Sequence, residues 1–372
     1  MLKTKAIDIP LAITILFVLL FGLLMLASAS FSLSYKNFGH NYYYLKHQIF
    51  FGVISGLIFL FIGFKTPYEF WKKIAPAAFI FSLILMLLVF LPHIGQEIRG
   101  AKRWLEIGGI SFQPSELLKL TMVIYMAALF ANKNWQANSF LRGFVPFATI
   151  TGIISLLLIF QPDVGTLIIL ASTATVVYFL AGGKILHLLL LLGIGSLAFW
   201  GLVHNEPYRL NRILAFLNPN IDPQGISYQI SRSIIFIGSG KLLGSGIGSD
   251  PLQYERLPEA MGDSIFAVIG HELGFFGAMA VVLAFLFIGL RGLNIAKNTT
   301  ETFGRLVAAG ITTFICLQAF VNIGAISGFL PLTGVPLPFM SYGGSALMVA
   351  LFSVGILLNI SSSQKSLKNA EV

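Results

Sequence analysis

Charge is what this sequence has least of. Only 10% of its 372 residues are Asp, Glu, Lys or Arg, whereas 56% are hydrophobic, and soluble domains carry about 25% charged residues. A soluble fold with so little charge could not cover its own surface, so the composition predicts a protein whose solvent is lipid. The net charge of +9 is interpreted as a topology signal rather than as a nucleic-acid site.

Cysteine is nearly absent as well. The one cysteine, Cys316, falls within an apolar segment, so neither a disulfide nor a cysteine metal site is available. The long apolar runs do not alternate with polar residues, which argues against a transmembrane β-barrel. Helices are then the structure that satisfies the backbone in lipid.

Apolar runs long enough to span a membrane are abundant. About ten of them approach the ~20 residues that a spanning helix needs. They lie near residues 9–30, 47–64, 74–92, 115–131, 144–161, 165–182, 185–203, 263–290, 304–327 and 341–361. The sequence therefore predicts one all-α, polytopic membrane domain over residues 1–372, with a long loop at about 204–262 between the seventh and eighth helices. The first run is too long, and too closely followed by others, to be a cleaved signal peptide.

Lys and Arg in the short loops set the predicted orientation. Most of them fall in segments that are cytoplasmic when the N-terminus lies inside. The short outer loops hold fewer, namely Lys36, Lys46, Arg99, Lys102 and Arg103. Both termini are therefore predicted in the cytoplasm and the long loop outside.

Polar residues collect in four segments that this orientation puts on the outer face. They are residues 95–119, the turn 161–166, the long loop that ends at Asp263, and residues 328–346. Pro and Gly in the last of these indicate a re-entrant or broken helix that lines protein or a cavity. Polar chemistry concentrated on one face predicts a site there.

The segment 95–119 ends in a helix-start pattern. Ser115 follows Gln113 and Pro114 and is a plausible N-cap, with Glu116 in the first turn. Glu116 and Lys119 share a face of that helix, so they can pair. An unpaired Lys119 inside a span would be costly.

Other polar residues leave two interpretations open. Arg103 is either an interfacial anchor or a bidentate ligand for phosphate oxygens, and Asp163 favours a structural turn. Asp263 either caps the eighth helix or is the leading acid of an outward-facing site. His271 lies eight residues further on the same helix face, which would extend a buried polar stripe.

Five stretches resemble, in order along the chain, motifs of the SEDS family of bacterial cell-wall proteins, which includes RodA and FtsW. They are GAKRWLEIGGISFQPSELLK, QPDVGT, DPQG, LPEAMGDSIFAVIGHELG and GVPLPFMSYGGSA. The resemblance implies ten spans with a long extracytoplasmic loop before the eighth, in the bacterial cytoplasmic membrane. It also implies a peptidoglycan glycosyltransferase that polymerises lipid II by inverting transfer and releases undecaprenyl pyrophosphate.

The resemblance assigns the catalytic carboxylate to Asp263, as a general base or as a ligand for Mg²⁺ or Mn²⁺, with no organic cofactor. Arg103, Lys119, Arg209 and Arg212 are candidates for the leaving pyrophosphate. Further substrate-binding candidates are Gln113, Ser115, Glu116, Asp163, Glu259, Ser341 and Tyr342.

Two stretches depart from the family's pattern. Met261-Gly262-Asp263-Ser264 stands where the family has His-Thr-Asp-Phe, so the Asp is kept and its neighbours are not, and His271 stands where the family has the first Glu of Glu-Glu-Leu-Gly. The implied partners are the growing glycan strand, a class B penicillin-binding protein and other elongation or division proteins. A lipid II flippase and a non-catalytic scaffold are the alternatives, and elongation versus division stays open.

Overall fold

The computed structural model describes residues 7–92, 94–98, 101–107, 110–132, 134–204, 210, 214, 216–218, 225, 227–249 and 251–368. The sequence-based predictions at Arg99, Arg209 and Arg212 lie outside the described residues, as do most positions between 205 and 226 in the long loop. The helices are α1 (Ile9–Phe38), α2 (Tyr43–Lys65), α3 (Tyr68–Leu88), α4 (Pro114–Phe130), α5 (Phe140–Phe160), α6 (Val164–Leu180), α7 (Ile185–His204), α8 (Tyr228–Ser239), α9 (Ile265–Asn298), α10 (Thr302–Ile326) and α11 (Gly344–Lys368).

Every apolar run predicted from the sequence coincides with one of these helices. Within the described residues, seven helices are long and apolar enough to cross a membrane: α1, α2, α3, α5, α9, α10 and α11. Helix α6 and the 185–197 part of α7 are apolar but shorter. The prediction of a polytopic helical membrane protein is confirmed.

Helix α1 is longer than the apolar run that predicts it. It continues to Phe38 because its outer end is packed against the long loop. Ser32 Oγ donates to the carbonyl of Pro251 at 2.8 Å, and Lys36 Nζ lies 2.9 Å from Glu255 Oε2. Both contacts hold the outer end of α1 against the 251–255 part of the long loop.

A small antiparallel sheet covers the outer end of α4. Its strands are β1 (Gly95–Ile98), β2 (Ala101–Ile107) and β3 (Ile110–Phe112), in the order β1-β2-β3. The sequence predicts only a polar connection here. The sequence feature that indicates a β-hairpin is Gly108-Gly109, which stands between two short runs that contain apolar residues.

At the end of the bundle opposite the sheet, a bidentate ion pair joins α9 to the residue that precedes α1. Arg291 Nη2 lies 2.6 Å from Asp8 Oδ2, and Arg291 Nε donates to Asp8 Oδ1 at 3.2 Å. Asp8 Oδ1 also accepts from the amide of Leu11, and the amide of Asp8 donates to Ser361 Oγ. One aspartate therefore caps α1 and connects it to α9 and α11.

Helix α9 is broken at Gly274, which has φ 65° and ψ −160°, a conformation open essentially to glycine alone. The break releases the amides of Phe275 and Phe276, which donate to the carbonyls of Lys241 and Leu242 at 2.9 and 3.3 Å. The predicted span 263–290 is therefore two segments. The second, 275–298, rises about 36 Å at ~1.5 Å per residue, enough to cross the apolar core by itself.

We predict that Gly274→Ala lowers the free energy of unfolding by about 3 kcal/mol or more. A Cβ at this position would lie 2.4 Å from the amide nitrogen of Gly244, and backbone atoms have little room to move away. Thermal unfolding of the purified protein in detergent measures the change. Gly152→Ala is the control, because a Cβ on Gly152 meets nothing within 4 Å, and equal melting temperatures for the two variants would contradict the prediction.

Candidate active site

An extended segment joins α10 to α11 and closes the outer end of the bundle; we call residues 331–343 the strap. It is tied to the turn that precedes α9. Ser341 Oγ donates to the carbonyl of Gly262 at 2.7 Å, and the amide of Tyr342 donates to the carbonyl of Met261 at 2.8 Å. Two of the predicted polar segments therefore meet directly.

Asp163 is the N-cap residue of α6. Its carboxylate accepts from the amide of Thr166 at 3.2 Å and from Thr166 Oγ1 at 2.8 Å. Gln113 Nε2 lies 3.5 Å from Asp163 Oδ2, and Arg103 Nη1 lies 3.9 Å from Asp163 Oδ1. The structural interpretation of this turn is confirmed, and Gln113, Arg103 and Asp163 form one polar group.

The guanidinium of Arg103 holds the same turn by its backbone. Arg103 Nε donates to the carbonyl of Gln161 at 3.0 Å, and Nη2 donates to the carbonyl of Pro162. This turn also packs closely on the strap. The two backbones are so near that a Cβ on Gly165 would lie 2.7 Å from the carbonyl oxygen of Thr333. Arg103 is therefore linked to the strap through the turn.

Asp263 is half-buried beneath the strap. The N-cap residue of α9 is Ser264, whose side chain makes no capping hydrogen bond, so the interpretation of Asp263 as the helix cap is wrong. The backbone carbonyl of Asp263 accepts from Asn322 Nδ2 at 2.8 Å. Its carboxylate faces the strap at Gly334, where a Cβ would lie 3.6 Å from Asp263 Oδ2.

A cleft of about 440 Å³ is lined in part by Gly262, the residue immediately before Asp263. Its walls are the outer end of α2, strands β2 and β3, the 259–262 turn and the start of α11. Its polar lining includes Glu259 and Tyr342. On the other side it is lined by the exposed Phe51 and the half-buried Ser55, both on α2. The cleft therefore has one polar wall and opens on the apolar flank of the bundle.

Tyr342 keeps its proton in this cleft. Burial, with smaller contributions from Tyr44 and Tyr43, raises the pKa of Tyr342 to about 12. The hydroxyl shares a 2.9 Å hydrogen bond with His47 Nδ1. Tyr342 is therefore a neutral hydrogen-bonding group at physiological pH.

The Glu116–Lys119 ion pair predicted from helix spacing is confirmed at 2.8 Å. Lys119 is 1% exposed and also donates to Gln318 Oε1. Ser115 is not the N-cap, because α4 begins at Pro114 after Gln113, and its buried hydroxyl has no hydrogen-bond partner within the described residues. These three α4 side chains are enclosed by protein, which favours a positioning role over direct contact with a substrate.

Glu272 and His271 form a second polar cluster. The sequence predicts a buried polar His271 but not the partners of either residue. Glu272 Oε1 accepts from Tyr254 OH at 2.5 Å, from the amide of Gly248 at 3.1 Å and from Ser28 Oγ. His271 Nδ1 lies 2.6 Å from Ser239 Oγ. His271 therefore joins α8 to α9, and Glu272 attaches the long loop to α1.

The carboxylates at the 259–263 turn are too few to hold a cation by themselves. They fit a site whose remaining ligands come from a substrate. In the part of the chain that the structure describes, no group of three or more His, Cys, Asp or Glu gathers to hold a metal. Glu259 and Asp263 lie on one turn, and Glu259 Oε2 approaches the Cα face of Gly262. One or two carboxylates completed by substrate phosphates are the ligands that Mg²⁺ takes in many enzymes.

These features define a class: a polytopic helical membrane protein with a polar site where its non-helical segments meet at one end of the bundle. The sequence model of the FtsW/RodA/SpoVE family, described as cell cycle protein, matches residues 9–366. The chain belongs to this family, which confirms the resemblance to SEDS proteins.

Relatives match over nearly their whole length. Stage V sporulation protein E of Bacillus subtilis is 38% identical over 96% of this chain and 98% of its own. A probable peptidoglycan glycosyltransferase FtsW of Trichlorobacter lovleyi is 38% identical over 96% and 94%.

Solved structures share the fold. A chain from work on a peptidoglycan synthase complex that coordinates polymerization and crosslinking has a TM-score of 0.80 and 26% identity, covering 96% of this chain and 98% of that one. The Thermus thermophilus rod shape determining protein RodA has a TM-score of 0.70 and 24% identity over the same shares.

We predict that Glu272→Ala lowers amide exchange protection across 241–256 at least about tenfold, because three donors lose their acceptor and hydrogen bonds to a charged group stabilise by about 1.5–3 kcal/mol each. Hydrogen exchange with mass spectrometry measures it. Glu255→Ala is the matched control, since it removes only the exposed pair with Lys36. Equal protection in both variants would show that Glu272 does not hold the loop.

Proposed function

We propose that this chain is a peptidoglycan glycosyltransferase that polymerises lipid II at the outer face of the bacterial cytoplasmic membrane. Relatives that carry this activity in their names support the reaction class. The observation that carries the proposal is the placement of Asp263: a half-buried carboxylate, on a turn fixed by the strap, next to Gly262, which lines a cleft with polar residues on one wall and Phe51 of α2 on the other.

The cleft suits an amphiphilic substrate. A lipid-linked sugar has a polyprenyl chain that stays in the bilayer and a headgroup that needs polar contacts. Exposed Phe51 on α2 would border the chain, while Tyr342 and Glu259 would face the sugar. Gln113 and Ser341 are proposed to act less directly, since Gln113 bonds Asp163 and the hydroxyl of Ser341 is used to hold the turn.

Asp263 is proposed to act as the general base. Its carboxylate takes the proton of the attacking sugar hydroxyl as that oxygen bonds to the anomeric carbon of the second substrate. The bond from this carbon to the pyrophosphate breaks, and its electron pair leaves with the pyrophosphate. Attack opposite the leaving group inverts the anomeric centre, and base catalysis of this kind contributes about 10²–10⁴-fold.

Positive charge for the leaving pyrophosphate is proposed to come from Arg103. Its three nitrogens contact the Asp163 turn, and a guanidinium has five N–H donors, so those not used by the turn would serve the pyrophosphate oxygens. A divalent cation at the 259–263 turn would be held by Asp263 and Glu259 and would supply further positive charge there. Lys119 is proposed to contribute through Gln318 rather than by contact.

A class B penicillin-binding protein is the proposed partner. The structural relative with a TM-score of 0.80 comes from a peptidoglycan synthase complex. The described part of the long loop around Tyr254, which Glu272 connects to α1 and α9, is the proposed surface for such a partner.

A flippase would need ionisable groups spread through the depth of the bundle. Among the described residues, the buried Asp, Glu and Lys side chains are Asp8, Glu116, Lys119, Asp163 and Glu272, and the buried histidines are His271 on α9 and His187, which bonds Tyr178. Of the acids and the lysine, all except Asp8 belong to elements at the strap end, and Asp8 pairs with Arg291 at the other. This distribution favours chemistry at one face over transport.

We predict that Asp263→Asn lowers lipid II polymerisation by at least about 10²-fold, because it removes the base while keeping side-chain size. The melting temperature should stay near that of the unchanged protein. Asp8→Asn is the matched control: it weakens the pair with Arg291 at the far end of the bundle and should keep its activity per folded molecule. Polymerisation by Asp263→Asn at the rate of the Asp8→Asn control would refute the role of Asp263.

We predict that Arg103→Gln lowers the polymerisation rate about 10- to 100-fold, as expected from the loss of one charge-assisted contact worth about 1.5–3 kcal/mol. Arg103→Lys should restore only part of the rate, because a lysine has no fork. Lys102→Gln, on the neighbouring exposed residue, should leave the rate unchanged. An undiminished rate in Arg103→Gln would mean that Arg103 only anchors the hairpin.

A further inference from the structure

Asn322, on α10, lies between Asp263 and the strap. Its Nδ2 donates to the carbonyl of Asp263 and to the carbonyl of Val335, both at 2.8 Å. The residue is 1% exposed. Both neighbouring groups are carbonyl oxygens, which only accept hydrogen bonds, so the side-chain amide of Asn322 is oriented with Nδ2 toward them. One side chain therefore sets the spacing between the Asp263 backbone and the strap.

Gln318, one helical turn earlier on the same face of α10, holds the next carbonyl of the strap. Its Nε2 donates to the carbonyl of Pro336 at 2.9 Å. Its Oε1 accepts from Lys119 Nζ, which also pairs with Glu116. An ammonium group only donates, so Lys119 binds the oxygen of Gln318 and leaves the nitrogen for the strap. The buried ion pair of α4 thus orients the amide of Gln318.

The strap passes over the Asp263 carboxylate at a glycine. Gly334 has φ +70°, and a Cβ there would lie 3.6 Å from Asp263 Oδ2. The carbonyls fixed by Asn322 and Gln318 belong to the two residues that follow. A shift of these carbonyls would move Gly334 relative to the carboxylate.

We propose that Asn322 is a positioning residue for the reaction, which sets Asp263 relative to the strap, and that Gln318 sets the strap itself. The inference rests on the proposed role of Asp263. Catalytic groups must be held within about 0.5 Å of the productive geometry, and a displacement of about 1 Å costs about 10²-fold in rate. Losing Asn322 frees two carbonyls on opposite sides of the site.

A merely structural role would also place donors on buried carbonyls, because such groups are almost always satisfied. Asn359 provides the comparison at the other end of the bundle. Its Nδ2 donates to the carbonyl of Phe64 at 2.6 Å, and its Oδ1 accepts from the amide of Tyr68 at 3.1 Å. Like Asn322 it is 1% exposed and bridges two backbone groups.

The test compares Asn322→Ala with Asn359→Ala in the purified full chain, with lipid II as substrate. Both variants should lower the melting temperature. Asn322→Ala should lower kcat about 10- to 100-fold with KM within about twofold, whereas Asn359→Ala should change kcat per folded molecule less than about twofold. Equal kcat values in the two variants, whether high or low, would overturn the positioning role.

Asn322→Ser keeps the test decisive if the alanine variant does not fold. Its hydroxyl can donate one hydrogen bond, so kcat should be reduced less than in Asn322→Ala and still lie below that of Asn359→Ala. A serine variant as active as the Asn359→Ala control would overturn the inference. Asp263→Asn, measured in parallel, separates the two claims: if that variant polymerises normally, the role of Asp263 as base fails, independently of Asn322.

Discussion

A chain that leaves the helical conformation inside an apolar bundle must find protein partners for its backbone, because lipid provides none. The strap is the segment of this protein on which that constraint acts most. Its carbonyls at Val335 and Pro336 take their donors from Asn322 and Gln318, and Ser341 binds the turn before α9. Satisfying the strap therefore also fixes the place of Asp263.

The same constraint explains the relation between the long loop and α9. Breaking the helix at Gly274 leaves two amides that donate to the carbonyls of Lys241 and Leu242. The backbone of the loop therefore supplies the hydrogen-bond acceptors that the helix break requires. Glu272, two residues before the break, completes the connection by reaching α1.

Among the described residues, the buried charged side chains have hydrogen-bond or ion-pair partners. Lys119 has both Glu116 and Gln318, and Asp163 has its own helix N-terminus and the side chain of Thr166. Removing one member of a buried pair leaves an uncompensated charge, which is far more costly than the pair is favourable. The polar end of the bundle is thus a connected set of groups whose members depend on one another, and Asp263, the proposed general base, is held within it.

Composition and local spacing determined much of this protein from the sequence alone. The apolar runs marked the helices, three-residue spacing marked the Glu116–Lys119 pair, and Pro162 with Asp163 marked the turn, because each of these depends on residues a few positions apart. The tertiary structure alone decided that Ser264 and not Asp263 caps α9, that Gly274 breaks it, and that Asn322 meets Asp263 from 59 residues away. The donors to Glu272 lie 18, 24 and 244 residues from it. Hydrogen bonds between such distant residues leave no periodicity in the sequence, since they exist only once packing has brought the helices together.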